Sequence, residues 1–425
     1  MITRDDLLAA RSSKDAEVAV RSWARDAIPA RWREAAESGG PSAVRNVRDL
    51  NEYRDWYRTF AATGLVVPQW RPEYGGLGWD RPLARAAEQV LARYHLPRLN
   101  PLGLNLAAPA LFAYGSEEQR VRFLPPIVRN EQVWCQLFSE PGAGSDLASL
   151  ATRAVRDGDG WRISGQKVWT TWAHLADMAV LLARTDPEVP KRSGITYFLI
   201  DMRQPGVEVR PLRHIGGEVD FNEVFLDGAF VPDDQRVGEI DAGWAVARAT
   251  LSGERQMVSG SGSGGVDRIG GSGARRLVRV AREREKAGFA GGWDDPHVRR
   301  QLVRLWSEEQ IRAWTNDRIR ASLRAGLPPG PESSIGKVHG SDLNQRIQKL
   351  AAEMLGAAGT AWDGGSDTYS ESMPAEVRGM LRSRANTIEG GTTEVNKNIL
   401  AERVLGMPKE PDPWNGKPWK EVPRG

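Results

Sequence analysis

The strongest constraint on the fold is a change of hydrophobic period that occurs twice along the 425 residues. In residues 1–130, Leu7, Leu8, Val18, Val20 and Trp23 recur among charges at helical spacing. Breaks fall at Ser38-Gly39-Gly40-Pro41, at Pro72-Glu73-Tyr74-Gly75-Gly76-Leu77-Gly78 and at Pro125-Pro126. Between 131 and 238 the pattern shortens. Ala179–Ala183 and Ile195–Ile200 are bounded apolar runs of strand length, with further candidates at Val207–Val209 and Val219–Phe225. The alternating segments Arg153–Arg156 and Trp161–Ser164 flank Asp157-Gly158-Asp159-Gly160, a hairpin signal. Helical spacing returns from 239 to 406, at Ala245–Val258, His297–Leu323 and Ser341–Leu355. Residues 407–425, rich in Pro, Lys and Trp, read as an irregular tail. The expectation is an α+β multidomain chain in the order helical, β, helical, and its length calls for two or three domains.

Composition narrows the class. A formal charge of +3 is small for this length, and no basic run is interleaved with aromatics, so nucleic acid is not an expected partner. The one cysteine, Cys135, allows neither an intramolecular disulfide nor a thiolate metal site. Met1-Ile2-Thr3-Arg4-Asp5-Asp6 lacks the basic-then-apolar order of a signal peptide. No apolar run approaches the roughly 20 residues of a membrane helix. A cytoplasmic protein without membrane contact is the default.

Two glycine-rich stretches mimic phosphate loops. Gly260-Ser261-Gly262-Ser263-Gly264-Gly265 satisfies G-x-G-x-x-G but follows a helical stretch rather than a strand, so close helix packing is the better reading. Gly330–Lys337 is one residue too long for a P-loop, and no Ser or Thr follows its Lys. The five histidines show no metal-ligand spacing, so no metal is expected. Ser139-Glu140-Pro141-Gly142-Ala143-Gly144-Ser145-Asp146, directly after the apolar run Val133–Phe138, is different. Such a loop offers backbone N–H groups and permits positive φ at Gly142 and Gly144, which suits a flat ligand or a phosphate. On these residues alone a plain surface turn is as good a reading.

The sequence resembles the acyl-CoA dehydrogenase family at several places in the right order. Ser139–Asp146 is similar to the family's flavin loop, [T/S]-E-P-x-A-G-S-D, and Gly165-Gln166-Lys167-Val168-Trp169-Thr170-Thr171 to its second flavin motif. Glu218–Phe225 through Val231-Pro232 resembles the end of the family's β domain. Asn386–Asn396 with Ile399–Gly406 is similar to the C-terminal signature, and Glu73-Tyr74-Gly75-Gly76 fits the N-terminal domain. The resemblance implies a helical N-terminal domain, a middle β-barrel or sandwich and a C-terminal four-helix bundle, with FAD as cofactor. It implies α,β-dehydrogenation of an acyl-CoA thioester in lipid metabolism.

Roles carry over by motif position. Leu137, Phe138, Ser139, Gly144 and Ser145 would line the flavin, Trp169 would cover one ring face, and Thr170 and Thr171 would lie at its edge with Thr171 donating toward N5. Trp169 gains its meaning from the motif, since the chain has 16 Trp. Ser145 would also meet substrate. Thr392 and Glu394 would approach the FAD diphosphate. Glu353 and Gly356 stand where relatives carry Gln-x-x-Gly-Gly, and the expected R-x-x-F-G motif is replaced by Arg282-Glu283-Arg284 near Phe289. A diphosphate site shared across subunits is therefore not legible.

The base is the main departure. Many members place a Glu directly before the Gly-Thr pair, where this chain has Gly390, whose N–H would still serve the thioester carbonyl. Other members place it on the first long helix of the C-terminal domain, in a pattern like Leu251-Ser252-Gly253-Glu254-Arg255. Glu254 is thus the first choice and Glu389 the runner-up; an ordinary exposed helical charge is the bland alternative. Arg255, Gly390 and Gly391 would touch substrate. The room left at Gly390 favours a branched or bulky acyl group. Electron-transfer flavoprotein is the expected acceptor, and a homodimer, tetramer or mixed tetramer the expected assembly. The alternatives are an acyl-CoA oxidase, a flavin monooxygenase, a partner subunit without its own activity, or an acyl group borne on a carrier protein.

Overall fold

The helical pattern of the first 130 residues forms helices at Arg4–Leu8, Ser13–Ala27, Ala30–Val47, Leu50–Ala62, Arg81–Leu91, Ala108–Tyr114 and Glu117–Arg129. This is a computed structural model, and it describes residues 2–259, 273–325, 330–331, 333–360 and 372–423; the side chains of 252–259, 323–324 and 333 lie outside the description. Most of these helices start on a side-chain cap: Thr3, Ser12, Asp49, Asp80 and Ser116 each accept a first-turn N–H. The break at Gly40-Pro41 is a kink in which Gly40 takes φ 62°. Gly76 is required by contact, since a Cβ there would lie 2.2 Å from the Trp70 carbonyl.

Pro125-Pro126 does not break the chain as expected. Both lie inside Glu117–Arg129. The two N–H groups they lack would have served the carbonyls of Val121 and Arg122, and both residues are exposed, so water serves instead. The helix stops only at Asn130, in the left-handed conformation.

The short apolar runs form one sheet of eight strands: β1 Trp134–Leu137, β2 Arg153–Asp157, β3 Gly160–Thr171, β4 Met178–Arg184, β5 Ile195–Asp201, β6 Val207–Leu212, β7 Phe221–Pro232 and β8 Arg236–Val237. The order is β6-β7-β3-β2-β4-β5-β8, with β1 parallel to β4. β2 and β3 form the expected hairpin, Asp157 pairing with Gly160 across a two-residue turn. β7 starts two residues later than the Val219–Phe225 pattern suggested and runs on to Pro232.

β4 is buried along its whole length, which explains its unbroken apolar run. Val180 and Leu182 face a core shared with the N-terminal helices; Ala179, Leu181 and Ala183 face a second core with Trp161, Ile163 and Val224. A third core joins Leu277, Leu302, Leu305, Leu343, Ile347 and Leu350 from the C-terminal helices Ala274–Lys286, Pro296–Arg324 and Ser333–Glu353. Two further helices, Ala375–Ser383 and Thr393–Arg403, follow. The Gly260–Gly265 stretch lies outside the described residues. No helix among the described residues is long and apolar enough to cross a membrane.

Asn100 ties the first domain to the sheet. It is buried and left-handed (φ 57°). Its Nδ2 donates to the Ile127 and Gln132 carbonyls (3.2 and 2.7 Å), and its Oδ1 accepts the N–H groups of Gly103 and Trp134 (3.3 and 3.1 Å). Trp134 opens β1, the strand that leads into Ser139–Asp146. Asn100→Ala should lower the unfolding free energy by about 2–4 kcal/mol, because it leaves several buried backbone groups unpaired. Urea denaturation checks this, and a change below about 0.5 kcal/mol would contradict it.

Candidate active site

The two motif segments meet at a β-bulge. In the β3–β7 ladder Lys167 pairs with Val224 and Thr170 with Asn222, so Val168 and Trp169 together oppose Glu223 alone. Trp169 takes φ 59°, a conformation that bulky residues avoid. The result is a tryptophan left 55% exposed near the end of a strand, its ring edge-on to Phe221 with the centroids 5.7 Å apart. The same bulge frees the Val168 N–H to donate to the Ser139 carbonyl (2.9 Å). The first residue of the loop is thereby fixed beside Trp169. Thr170 is buried and its Oγ1 has no hydrogen-bond partner among the described residues, while Thr171 is half-exposed.

The loop is held from below by a buried ion pair. Lys167 is fully buried, and its Nζ donates to Glu140 Oε1 (2.8 Å), the Phe138 carbonyl (3.1 Å) and the Leu182 carbonyl (2.8 Å). The Glu140 carboxylate also accepts the N–H groups of Ala151 and Thr152 (2.6 and 2.9 Å). Burial opposes both charges. It lowers the Lys167 pKa, whereas at Glu140 it is outweighed by the ammonium and the N–H donors, which hold the carboxyl below its ordinary value. Glu140 and Ala143 close the turn with reciprocal backbone bonds (3.1 and 3.0 Å). Gly142 and Gly144 do not take the positive φ that the loop permitted. This turn is closed by extended pairing, which needs no left-handed residue. Gly144 and Ser145 are exposed, and a Cβ at Gly144 would meet nothing within 4 Å.

The C-terminal turn carries left-handed glycines. Gly390 and Gly391 take φ 64° and 89°. Thr392 caps Thr393–Arg403 by accepting the Val395 N–H (3.1 Å), and Asn396 Nδ2 donates to the Gly391 and Thr392 carbonyls (3.0 Å each). Beside this helix start, Thr393 Oγ1 and Asn396 Oδ1 are buried without a partner among the described residues. Glu394 is exposed in the first turn. Glu389 accepts from Arg382 (2.9 Å) and Asn386 (2.9 Å). The Arg382 guanidinium lies 5.6 Å from the Phe221 ring, which links this turn to Trp169 through one aromatic.

Other sequence candidates fall elsewhere. Glu353 is exposed and reaches Lys349 (3.5 Å), and Gly356 takes φ 57° just beyond that helix. Arg284 lies over Phe289 and Arg282 over Trp293, both within the stretch that replaces the missing arginine motif. Glu254 and Arg255 lie on the helix Gly243–Ser259, and their side chains are outside the described residues. His214, Glu218 and Asp220 cluster near Phe221 with ligand atoms within 4.8 Å of one another. The His214 Nδ1 accepts the Gly216 N–H (2.9 Å), and its Nε2 lies 3.6 Å from Glu218 without a hydrogen-bond partner among the described residues.

Family comparison fits this geometry. The models "Acyl-CoA dehydrogenase, N-terminal domain", "middle domain" and "C-terminal domain" match residues 13–131, 135–229 and 241–405. The chain belongs to the acyl-CoA dehydrogenase family. Acyl-CoA dehydrogenase IpdE1 of Mycobacterium tuberculosis is 38% identical over 399 residues, covering 92% of this chain and 97% of that protein. Among solved structures, the Tcur3481-Tcur3483 steroid ACAD matches with a TM-score of 0.69 and 29% identity over 94% of this chain and 98% of that one. The ChsE4-ChsE5 complex from Mycobacterium tuberculosis matches with a TM-score of 0.68 and 28% identity over 95% and 100%. This acyl-CoA dehydrogenase is a flavoprotein oxidoreductase with the family's three-domain fold, and its cofactor is FAD. The exposed indole of Trp169, the open side of Gly144 and the unpartnered Thr170 Oγ1 suit a flat polar-edged ring.

Sequence reading quoted Glu140 and Lys167 only as motif letters. The available signal was a Lys directly before Val168 in a strand whose Trp161 and Ile163 are headed for the core. Lys167→Met should cost about 3–5 kcal/mol, because it leaves Glu140 buried without its counter-charge. Glu140 titrates below 4.5 in the fold, so its contribution is present above that pH and lost as pH falls through the lower folded value. Urea melts at pH 7 and below should show a smaller acid dependence in the variant than in the parent; equal stability at pH 7 would contradict the assignment.

Proposed function

We propose that this acyl-CoA dehydrogenase acts on a branched or cyclic acyl thioester and that Glu254 removes the α-proton. The observation that carries the reading is the anchoring of its helix. Thr250 is buried, and its Oγ1 donates to the Leu106 carbonyl of the N-terminal domain (3.2 Å) and bonds the Tyr197 hydroxyl of β5 (2.9 Å). Thr250 thus sits where the three domains meet, and Glu254 follows it by just over one helical turn. The runner-up, Glu389, already accepts hydrogen bonds from Arg382 and Asn386. A carboxylate in a dry site has its pKa raised toward working pH, which an α-proton acceptor needs.

In this reading Leu137, Phe138, Ser139, Gly144, Ser145, Trp169, Thr170 and Thr171 hold the flavin, with Trp169 against one ring face and Thr171 at its edge. Thr392 and Glu394 serve the diphosphate, with Glu353 and Gly356 in the same role. FAD, when bound, accepts the β-hydride. The Gly390 N–H donates to the thioester carbonyl and stabilises the charge that develops as Glu254 takes the proton. Arg255, Ser145, Gly390 and Gly391 line the substrate. Gly390 contributes no side chain, and the space it leaves suits bulk at the acyl carbons. The solved relative described as a steroid ACAD supports a bulky substrate. Electrons leave to an electron-transfer flavoprotein. Val303, Trp306, Ile311 and Trp314, exposed along Pro296–Arg324, support burial against another subunit, either a copy or a related chain as in the two-chain relatives.

Glu254→Gln should retain bound FAD and lose anaerobic bleaching by substrate; retained bleaching removes Glu254 from the role. In a panel of acyl-CoA thioesters, branched or cyclic groups should bleach the flavin faster than linear ones. Preference for linear C4–C8 chains would sink the bulky-substrate reading.

A further inference from the structure

We propose that the C-terminal segment Pro418–Glu421 is a strap that positions the Ser139–Asp146 loop, with Trp419 as its anchoring residue. This rests on reading that loop as the flavin and substrate loop. Beyond Thr393–Arg403 the chain is exposed through Lys417; Pro418 is half-buried and Trp419 is 8% exposed. There it pairs with the β4–β5 loop. The Trp419 N–H donates to the Val189 carbonyl (2.8 Å), the Lys420 N–H to the Pro187 carbonyl (3.1 Å), and the Lys420 ammonium pairs with Glu188 (2.5 Å). A backbone bridge joins Pro418 to Pro190.

The side chain does more than fill space. The indole Nε1 donates to the Ser149 carbonyl (3.2 Å), and the ring lies 4.7 Å from the Arg184 guanidinium. Arg184 Nη2 donates to the carbonyls on either side, Ala148 (2.7 Å) and Leu150 (3.2 Å). Three consecutive carbonyls are thus held by one arginine and the tryptophan stacked on it. Both ends of this held stretch return to the loop. On one side Ser149 Oγ donates to Asp146 Oδ2 (2.6 Å), which also accepts from Lys191 Nζ (2.8 Å). On the other the Ala151 and Thr152 N–H groups bind Glu140, the partner of Lys167. Asp146 and Glu140 bracket Gly144 and Ser145. A residue 270 positions away therefore braces the exposed side of the loop. The chain that leads to the strap leaves the helix Thr393–Arg403, whose start carries Gly390–Thr392.

The test uses the FAD-loaded enzyme and the thioester that bleaches fastest in the acyl panel. Trp419→Ala removes the cation–π contact and the Nε1 donor, so KM should rise about tenfold with kcat changed less than about twofold. Hydrogen exchange at amides 147–152 should quicken about tenfold on the same footing. Trp419→Phe keeps a ring over Arg184 and loses only the donor, so its KM should rise about threefold. Parental exchange and parental KM in Trp419→Ala would overturn the proposal. Faster exchange with parental KM would show that the strap holds the segment but that the loop is not a substrate loop, which overturns the positioning role and the reading beneath it. Should Trp419→Ala not retain FAD, Trp419→Phe decides alone: a parental KM overturns the strap.

Discussion

Lys167 and Glu140 carry opposite charges where water does not reach, and the surface assigned to the flavin is assembled on that pair. An ion pair in such a place is weak evidence for net stability, because desolvating two charges offsets much of their attraction. Its value lies in geometry. An ammonium has three protons, and here they are taken by Glu140, the Phe138 carbonyl and the Leu182 carbonyl. Those acceptors belong to the start of the loop and to the central strand β4. Any shift of the loop relative to the sheet would leave a buried charge with too few partners, so one register is strongly preferred.

The bulge at Val168–Trp169 depends on the same arrangement. A tryptophan at φ 59° is strained by an amount that ordinary strand pairing would not tolerate. It persists because Lys167 is pinned on one side and Thr170 on the other, the latter through its carbonyl to Asn222 (3.1 Å). Between two fixed residues the extra residue has to leave the pleat, and leaving it turns the indole outward and the Val168 N–H toward Ser139. The exposed ring and the anchored loop are one consequence of one inserted residue.

Much of this was legible in the sequence, and the failures have physical causes. The three-block order followed from hydrophobic period, because period 2 and period 3.6 reflect which faces are buried. β4 announced itself as a continuous apolar run because both its faces meet cores. The Pro125-Pro126 error came from treating proline as an unconditional stop. Its cost falls on the carbonyls of two residues, Val121 and Arg122, that are exposed. Asn100 was illegible because its four bonds reach residues up to 34 positions away, and no local pattern marks a side chain whose partners are all backbone groups from other elements. Glu140 and Lys167 sat inside recognised motifs, yet their pairing is a fact of sheet geometry.

The same reasoning bears on the base. A carboxylate that abstracts a carbon-bound proton must be short of partners, since each donor it accepts stabilises the charged form and weakens it as a base. Glu140 has three donors and is structural by that measure. The helix Gly243–Ser259 meets the N-terminal domain and β5 through Thr250, one turn before the residue proposed as base. On the proposed reading, a base carried by a helix anchored on two domains keeps its distance to the sheet fixed, and the turn at Gly390 is then free to remain small. The proposed carboxylate and the acyl chain would then not share the 389–391 loop, which leaves room there for bulk.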